Sequence, residues 1–274
     1  RRPGTGKCQL RLPLRRFAPS PSLDALHRKG DDILAARRLL LDVSELGRAG
    51  FMRGPRLRES FVSQEFLRPL SELPVPANLL GVLTDIDDTL TTEGEVPAHV
   101  VAAIARLKDA GLKVVPITGR PVGWSVPFAS AWPVDAIVAE NGAVALRRNG
   151  AGGLDKLYQQ DDDTRARNFA RMQEVLSQIE ATVPGASRAT DSAGRECDIA
   201  VDHSEFTHLP QAQIDQCVQI MRDAGMNATV SSIHINGWFG GHNKLEGARW
   251  IVRELFGIDL DATLGQWIYI GDST

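Results

Sequence analysis

The chain is poor in cysteine: Cys8, Cys197 and Cys217 are its only three, odd in number and with no C-x-x-C pair among them. That usage argues against a disulfide framework or a structural zinc site, and a reducing, cytoplasmic compartment is the expectation. His203 and His208 lie outside any H-E-x-x-H pattern, which removes the usual helical zinc reading. No apolar run approaches the roughly 18–20 residues that span a bilayer, so no membrane partner is expected. Nor is there a strong charge of one sign: the net charge is −3, with 43% hydrophobic and 24% charged residues, as in ordinary globular proteins.

Charge is nonetheless unevenly spread. The first 70 residues carry 15 Lys/Arg against 7 Asp/Glu, and the remainder carries 16 against 27. Residues 1–76 therefore read as a basic N-terminal extension, poorly ordered, with one short amphipathic helix over 31–46. The "GTGK" at 4–7 misses the spacing of a phosphate loop, and Cys8 follows its lysine. A nucleic-acid role would rest on this extension alone, and none is expected.

From Leu79 the pattern changes. "LLGVLTD" is a short continuous apolar run, the mark of a strand buried on both faces. Pro97 and Gly111 bracket a helix, "LKVVPITG" is a second strand, and "RPVGWSVPFASAW" carries another helix. "DAIVAENGAVAL" gives a third strand, a turn at Asn141-Gly142 and a returning strand. This alternation predicts a parallel α/β sheet over 77–147. It breaks off after Leu146: a long helix with Phe169, Met172, Val175, Leu176 and Ile179 at helical spacing opens a different block, with "RECDIAVD" and "NATVSSIHINGWFG" each read as a strand. The parallel rhythm resumes with "NKLEGARWIVRELFG" and "QWIYIGD". A second α/β unit, residues 148–241, is thus inserted into a core completed by 242–274.

Ligands of open parallel sheets bind at the carboxyl ends of the strands. Here those ends read Asp85-x-Asp87-x-Thr89, Thr118-Gly119-Arg120, Glu140-Asn141-Gly142 and Gly271-Asp272-Ser273, with Lys244 opening the helix before the last strand. Carboxylates, a hydroxyl and an ammonium would converge on one crevice. Such oxygens suit Mg²⁺, while a calcium loop fails because Leu90 and Val96 stand where Gly and Glu are needed. An anionic phosphoryl group explains why a lysine and a hydroxyl accompany them.

"DIDDT", "TGR", "NK" and "GDS", in this order over 79–274, resemble the four motifs of the haloacid dehalogenase (HAD) superfamily of phosphohydrolases. An insert between the second and third motifs resembles the branch with a large α/β cap, which includes Cof-like and sucrose-phosphate and trehalose-phosphate phosphatases. The resemblance implies a Rossmann-like parallel-sheet core and a role for each matching residue. Asp85 would be the nucleophile that forms an aspartyl-phosphate, and Asp87 the general acid and then base. Thr118 would bind phosphoryl oxygens and Lys244 balance charge. Asp85, the Asp87 main-chain carbonyl and Asp272 would hold Mg²⁺. Asp88 is read as a bystander that caps the turn. The family's fourth motif continues past "GDS" to a second acidic residue, so a core truncated at its C-terminal side is expected here.

In capped members the insert reads the leaving group. Thr89, Gly119, Arg120, Asn141, Arg195, Ser232, His234 and Asn236 are the candidate substrate contacts, with Arg195 offered to a second anion. Ser232, His234, Asn236 and Trp238 alternate and would share one strand face, polar groups beside an aromatic, as a sugar requires. Glu140 and Asn141 stand equally for substrate contact or hairpin turn. The expectation is a Mg²⁺-dependent phosphatase, monomeric or homodimeric, acting on a small phosphorylated metabolite such as a sugar phosphate. The alternatives are a sugar phosphomutase of the same fold and an inactive phosphate-binding fragment.

Overall fold

The computed structural model describes residues 76, 78–92 and 95–271. The basic extension up to residue 75, with the helix expected over 31–46, lies outside the described residues, as do Asp272 and Ser273.

The apolar run forms strand β1 (Gly81–Thr84), buried throughout. Helix α1 (Ala98–Asp109) starts behind Pro97, whose φ of −64° is already set, and ends before Gly111 at φ 80°. Strand β2 (Lys113–Pro116), helix α2 (Val122–Ala131) and strand β3 (Ile137–Ala139) follow. A 3₁₀ turn over Glu140–Gly142 reverses the chain into β4 (Val144–Arg148), and β5 (Leu154–Tyr158) comes next. Helix α3 (Asp162–Thr182) opens the insert, its N-cap Asp161 accepting from the Thr164 amide at 2.8 Å. Then come β6 (Ser187–Arg188), β7 (Ile199–Asp202), α4 (Gln211–Asp223), β8 (Asn227–Val230) and β9 (His234–Trp238). Helix α5 (Lys244–Phe256) and strand β10 (Trp267–Ile270) close the described chain.

Strands β10, β1 and β2 are parallel neighbours, and a parallel bridge between Ile117 and Val138 carries the sheet on to β3. Alternation along β1 sends Val82 to a cluster with α1 and α2 and Leu83 to a cluster with α5. The sheet is therefore covered on both faces, which is why its strands read as unbroken apolar runs. The insert is a separate antiparallel sheet in the order β6-β7-β9-β8, with Met172, Leu176 and Ile179 of α3 and Cys217 and Met221 of α4 in its own core. A parallel-sheet core with an inserted α/β unit is the architecture the sequence pattern led us to expect.

Three details differ from the sequence reading. "LDKLY", unread as structure, forms β5 and pairs antiparallel with β4, so strand pairing continues to Tyr158 before the insert's long helix begins. Its charged middle hid it; Asp155 pairs across the ladder with Arg147 at 3.0 Å. "NATVSSIHINGWFG" is a hairpin of two strands, with Ser231–Ile233 as its turn. Phe169 shares the helical spacing of α3 but is 36% exposed and outside the core of the insert.

The corner of the β3–β4 hairpin presses on the start of α5. Gly142 has φ +106°, and a Cβ there would stand 2.3 Å from the Asn243 carbonyl oxygen; one on Gly247 would stand 2.5 Å from the Gly142 Cα. Backbone thus touches backbone, and this contact sets where Lys244 begins its helix. Gly142→Ala adds both a clash and a strained φ, so it should cost at least about 2 kcal/mol in denaturant unfolding. A cost under about 0.5 kcal/mol would show that the contact relaxes freely.

Candidate active site

Strand β1 delivers Asp85 to the carboxyl end of the sheet between its two parallel neighbours. The Asp85 amide donates to the Ile270 carbonyl at 2.8 Å, and Asp85 Oδ1 accepts from the Ile86 amide at 2.7 Å. Asp85 Oδ2 is paired with Lys244 Nζ, the first residue of α5. A lysine at a helix N-terminus is disfavoured by the helix dipole. The buried carboxylate, only 4% exposed, compensates it, and the two groups hold each other in place.

Asp87 lies two residues further on, where β1 has given way to a turn. Its Oδ1 accepts from Arg120 Nε at 3.0 Å, and Thr118 Oγ1 lies 3.4 Å from its Oδ2. The Thr118 hydroxyl also accepts from the Arg120 amide at 3.0 Å, closing the Thr118-Gly119-Arg120 turn. Backbone bonds from Asn141 to Thr118 and from Glu140 to Arg120, at 3.1 and 3.0 Å, seat the hairpin corner on this turn. Asp88 takes φ 54° and borders the same space, its amide donating to Thr91 Oγ1 at 2.9 Å.

The carboxyl ends of these elements floor a cavity of about 540 Å³. Asp85, Asp87, Gly119, Arg120, Asn141 and Lys244 contribute from the core. The β8–β9 hairpin roofs it with Ser232, His234, Asn236 and Trp238 among others. Ser232 stands in the hairpin turn, so the shared strand face holds only His234, Asn236 and Trp238. The Asn236 Oδ1 atom is buried with no hydrogen-bond partner among the described residues.

Three candidates fall elsewhere. Thr118 is fully buried behind the Gly119–Arg120 turn, its hydroxyl turned to Asp87 and the Arg120 amide, and it does not border the cavity. Arg195 does not border the cavity: it is buried and bonds Asp198 at 2.8 Å, both oxygens of Asp191 at 3.1 Å and the Gly119 carbonyl at 3.3 Å. With its donors so engaged it holds the insert to the core, and a second anion finds no open guanidinium there. Thr89 has its hydroxyl buried without a partner among the described residues and is also outside the cavity wall.

Glu140 does structural work that the sequence left open. Fully buried, its carboxylate accepts amides from Val122 at the start of α2 and from Glu196, Cys197 and Asp198 in the insert. Burial, with the negative Asp198 adding to it, pushes its pKa up to about 8. Glu205 went unread because it sits in a polar loop without periodicity, and Asp202, the last residue of β7, was read only as part of a strand. The one available signal was an Asp followed by a polar stretch, the composition of an Asx turn.

The donor set facing the floor is oxygen only, Asp85 and Asp87, which suits a hard cation such as Mg²⁺. The third expected ligand, Asp272, lies outside the described residues; among those described, no group of three His, Cys, Asp or Glu is arranged to hold a metal. No described helix is long and apolar enough to cross a membrane.

Fold and site together define an α/β protein with a carboxylate–lysine floor under an inserted antiparallel unit. Residues 82–188 match the family model of haloacid dehalogenase-like hydrolases. Among solved structures it is similar to protein 0175 of Thermoplasma acidophilum, at 15% identity and TM-score 0.56 over 72% of this chain and 78% of that one. It is also similar to the sucrose-phosphatase of Synechocystis sp. PCC6803, solved with sucrose and phosphate, at 14% identity and TM-score 0.51 over 71% of this chain and 75% of that one. An N-terminally truncated, IMP-bound IMP-nucleotidase of Plasmodium falciparum gives 12% identity and TM-score 0.50 over 71% of this chain and 59% of that one. At such identities the likeness is one of fold. No curated protein matches.

A buried histidine behind the wall of the site also makes a pH prediction. His242 stacks on Trp238 with ring centroids 5.6 Å apart, and burial pushes its pKa down to about 4 from the ordinary 6.5. A histidine depressed in the folded state contributes stability that is full above about 6.5 and is lost as pH falls toward 4. The thermal midpoint should fall across that window, and less steeply in His242→Phe. Equal slopes for the two proteins would contradict the assignment.

Proposed function

We propose that the chain is a phosphatase that cleaves a phosphate monoester of a sugar or related small metabolite through an aspartyl-phosphate on Asp85. The observation that carries this reading is the Asp85–Lys244 pair on the cavity floor, at the carboxyl end of a parallel sheet. A carboxylate attacks an anionic phosphorus poorly, and Lys244 offsets that repulsion on nucleophile and phosphoryl oxygens alike. The Gly119–Arg120 turn binds the remaining phosphoryl oxygens, with Thr118 behind it holding that turn and Asp87 in place. As Asp85 Oδ bonds to phosphorus and the ester P–O bond breaks, Asp87 gives its proton to the leaving oxygen. Water then attacks phosphorus, Asp87 takes a proton from it, and the Asp85–phosphorus bond breaks. Where Mg²⁺ is bound, Asp85, the Asp87 carbonyl and Asp272 hold it, and it supplies charge neutralisation on the phosphoryl group.

The roof supports a neutral, hydroxyl-bearing leaving group. Asn236 offers an unpartnered buried oxygen to a hydroxyl, Ser232 and His234 offer polar contacts, and Trp238 offers an apolar face to a sugar ring. The sucrose-phosphatase of Synechocystis, with sucrose and phosphate bound, is a solved relative of fold in line with this reading. The insert from α3 to β9 would then act as the cap, and the strands up to β5 with residues 242–274 as the core, in the reducing cytoplasm that the cysteine usage suggests.

Turnover of p-nitrophenyl phosphate and of a panel of sugar phosphates, with Mg²⁺ and with chelator, tests the proposal. Free phosphate should appear without a bisphosphate activator, chelation should abolish it, and Asp85→Asn should lose at least about a thousandfold. Retained turnover in Asp85→Asn removes the nucleophile, and a need for bisphosphate makes the protein a mutase. Asn236→Ala should raise KM for the best sugar ester by about 5- to 50-fold with little change for the aryl ester; equal changes would remove Asn236 as a sugar contact.

A further inference from the structure

Arg120 stands between two carboxylates that belong to different units. Its Nε donates to Asp87 Oδ1 at 3.0 Å in the core, and its NH1 is 3.7 Å from Glu205 Oε1 in the insert. The guanidinium also lies 5.3 Å from the Trp124 ring centroid, on the face where a cation is attracted. Side-chain exposures of 17% for Arg120, 33% for Asp87 and 25% for Glu205 leave these charges partly shielded from solvent.

The position of Glu205 is built. Asp202, the last residue of β7 and itself buried, accepts the amides of Ser204, Glu205, Phe206 and Thr207 at 3.1, 2.8, 2.9 and 3.0 Å. Burial alone would raise its pKa, but the four amides hold it below the ordinary carboxylate range. A polar loop that composition would leave loose is thereby fixed to the end of a core strand of the insert. The second oxygen of Glu205 lies 2.9 Å from Nε2 of His234, a buried residue of the cavity roof. A continuous chain of contacts thus runs from His234 through Glu205 and Arg120 to Asp87.

That chain answers a geometric problem in the proposed reaction. Asp87 must bring a proton to the leaving oxygen in the first half and accept one from water in the second. In this arrangement both of its oxygens are engaged, Oδ1 by Arg120 and Oδ2 by the longer contact from Thr118. A guanidinium seated on Oδ1 occupies an oxygen that must carry the proton in the first half and receive one in the second. Arg120 therefore needs a second seat, and Glu205 provides a carboxylate next to it.

We propose that Glu205 is a positioning residue that draws the Arg120 guanidinium off Asp87 during leaving-group departure, so that the insert, through Asp202 and His234, sets whether Asp87 Oδ1 is free to face the leaving oxygen. This rests on the phosphatase reading and on Asp87 as its acid. The step itself is the one already balanced: the proton passes from Asp87 to the leaving oxygen as the ester bond breaks, and Arg120 changes partner without exchanging atoms.

The test separates proton delivery from everything else by the leaving group. A p-nitrophenolate leaves with little need of a proton, whereas the alkoxide of glucose 6-phosphate or glycerol 2-phosphate needs one. In the full-length protein, Glu205→Gln should lower kcat/KM for the alkyl esters about tenfold more than for p-nitrophenyl phosphate. Glu205→Asp, which keeps the charge on the Asp202-anchored loop, should restore at least half of the wild-type alkyl-to-aryl ratio. Equal losses on both ester types, no loss on either, a larger loss on the aryl ester, or an Asp variant no better than Gln each overturns the role of Glu205 while leaving the phosphatase reading intact. Wild-type protein that turns over neither ester overturns the phosphatase reading, and the role of Glu205 falls with it.

Discussion

Asp85 and Lys244 are 159 residues apart in sequence and joined in the fold by one ion pair. Much of the structure can be read as what that pair requires. β1 must end between two parallel neighbours, so that Asp85 is buried with its amide bonded to Ile270. α5 must begin with its first residue over the same strand end. The Gly142–Asn243 and Gly142–Gly247 approaches bring it there by direct backbone contact, which no side chain at either glycine would allow. Crowded carboxylates on one side and a lysine at a helix start on the other are each unfavourable alone. Brought together, each stabilises the other, and a strand end that would weaken the fold becomes a place where an anion can be received.

The insert is bound to this core by buried polar groups more than by apolar ones. Glu140 holds amides of Val122 on one side and of Glu196, Cys197 and Asp198 on the other, while Arg195 bonds the Gly119 carbonyl from across the boundary. Gly123 and Gly194 meet so closely that a Cβ on the former would stand 2.9 Å from the Cα of the latter. Directional bonds of this kind fix orientation where a greasy contact would allow sliding. The roof over the cavity is therefore held in register with the floor, and Glu205 meets Arg120 from a loop anchored on Asp202.

How much of this could be read from the residues alone follows from which signals are local. The parallel core was legible because strands covered on both faces leave continuous apolar runs, with "DIDDT" and "TGR" at the ends of two of them and "NK" at the start of α5. The helices of the insert were legible through their period, although Phe169 shows that period alone does not distinguish a core position from a flank. Strand β5 was not, because an edge strand with Asp155 and Lys156 at its centre depends on its partner for its structure. Arg195 was misplaced for the same reason. An arginine in a loop looks available until the fold brings Asp191, Asp198 and a carbonyl to it. Glu140 and Glu205 act through backbone amides and long-range pairs, which leave no pattern in sequence, and Asp202 leaves only the composition of an Asx turn.

The central claim is that Asp85, held by Lys244, becomes covalently phosphorylated. The most direct measurement is rapid acid quench during turnover of a phosphate ester, followed by peptide mass spectrometry with and without hydroxylamine. The account predicts a phosphoryl group on the peptide bearing Asp85, localised to that residue and removed by hydroxylamine as an acyl phosphate is. Turnover that proceeds with Asp85 unmodified, or with the phosphoryl group on another residue, would contradict it.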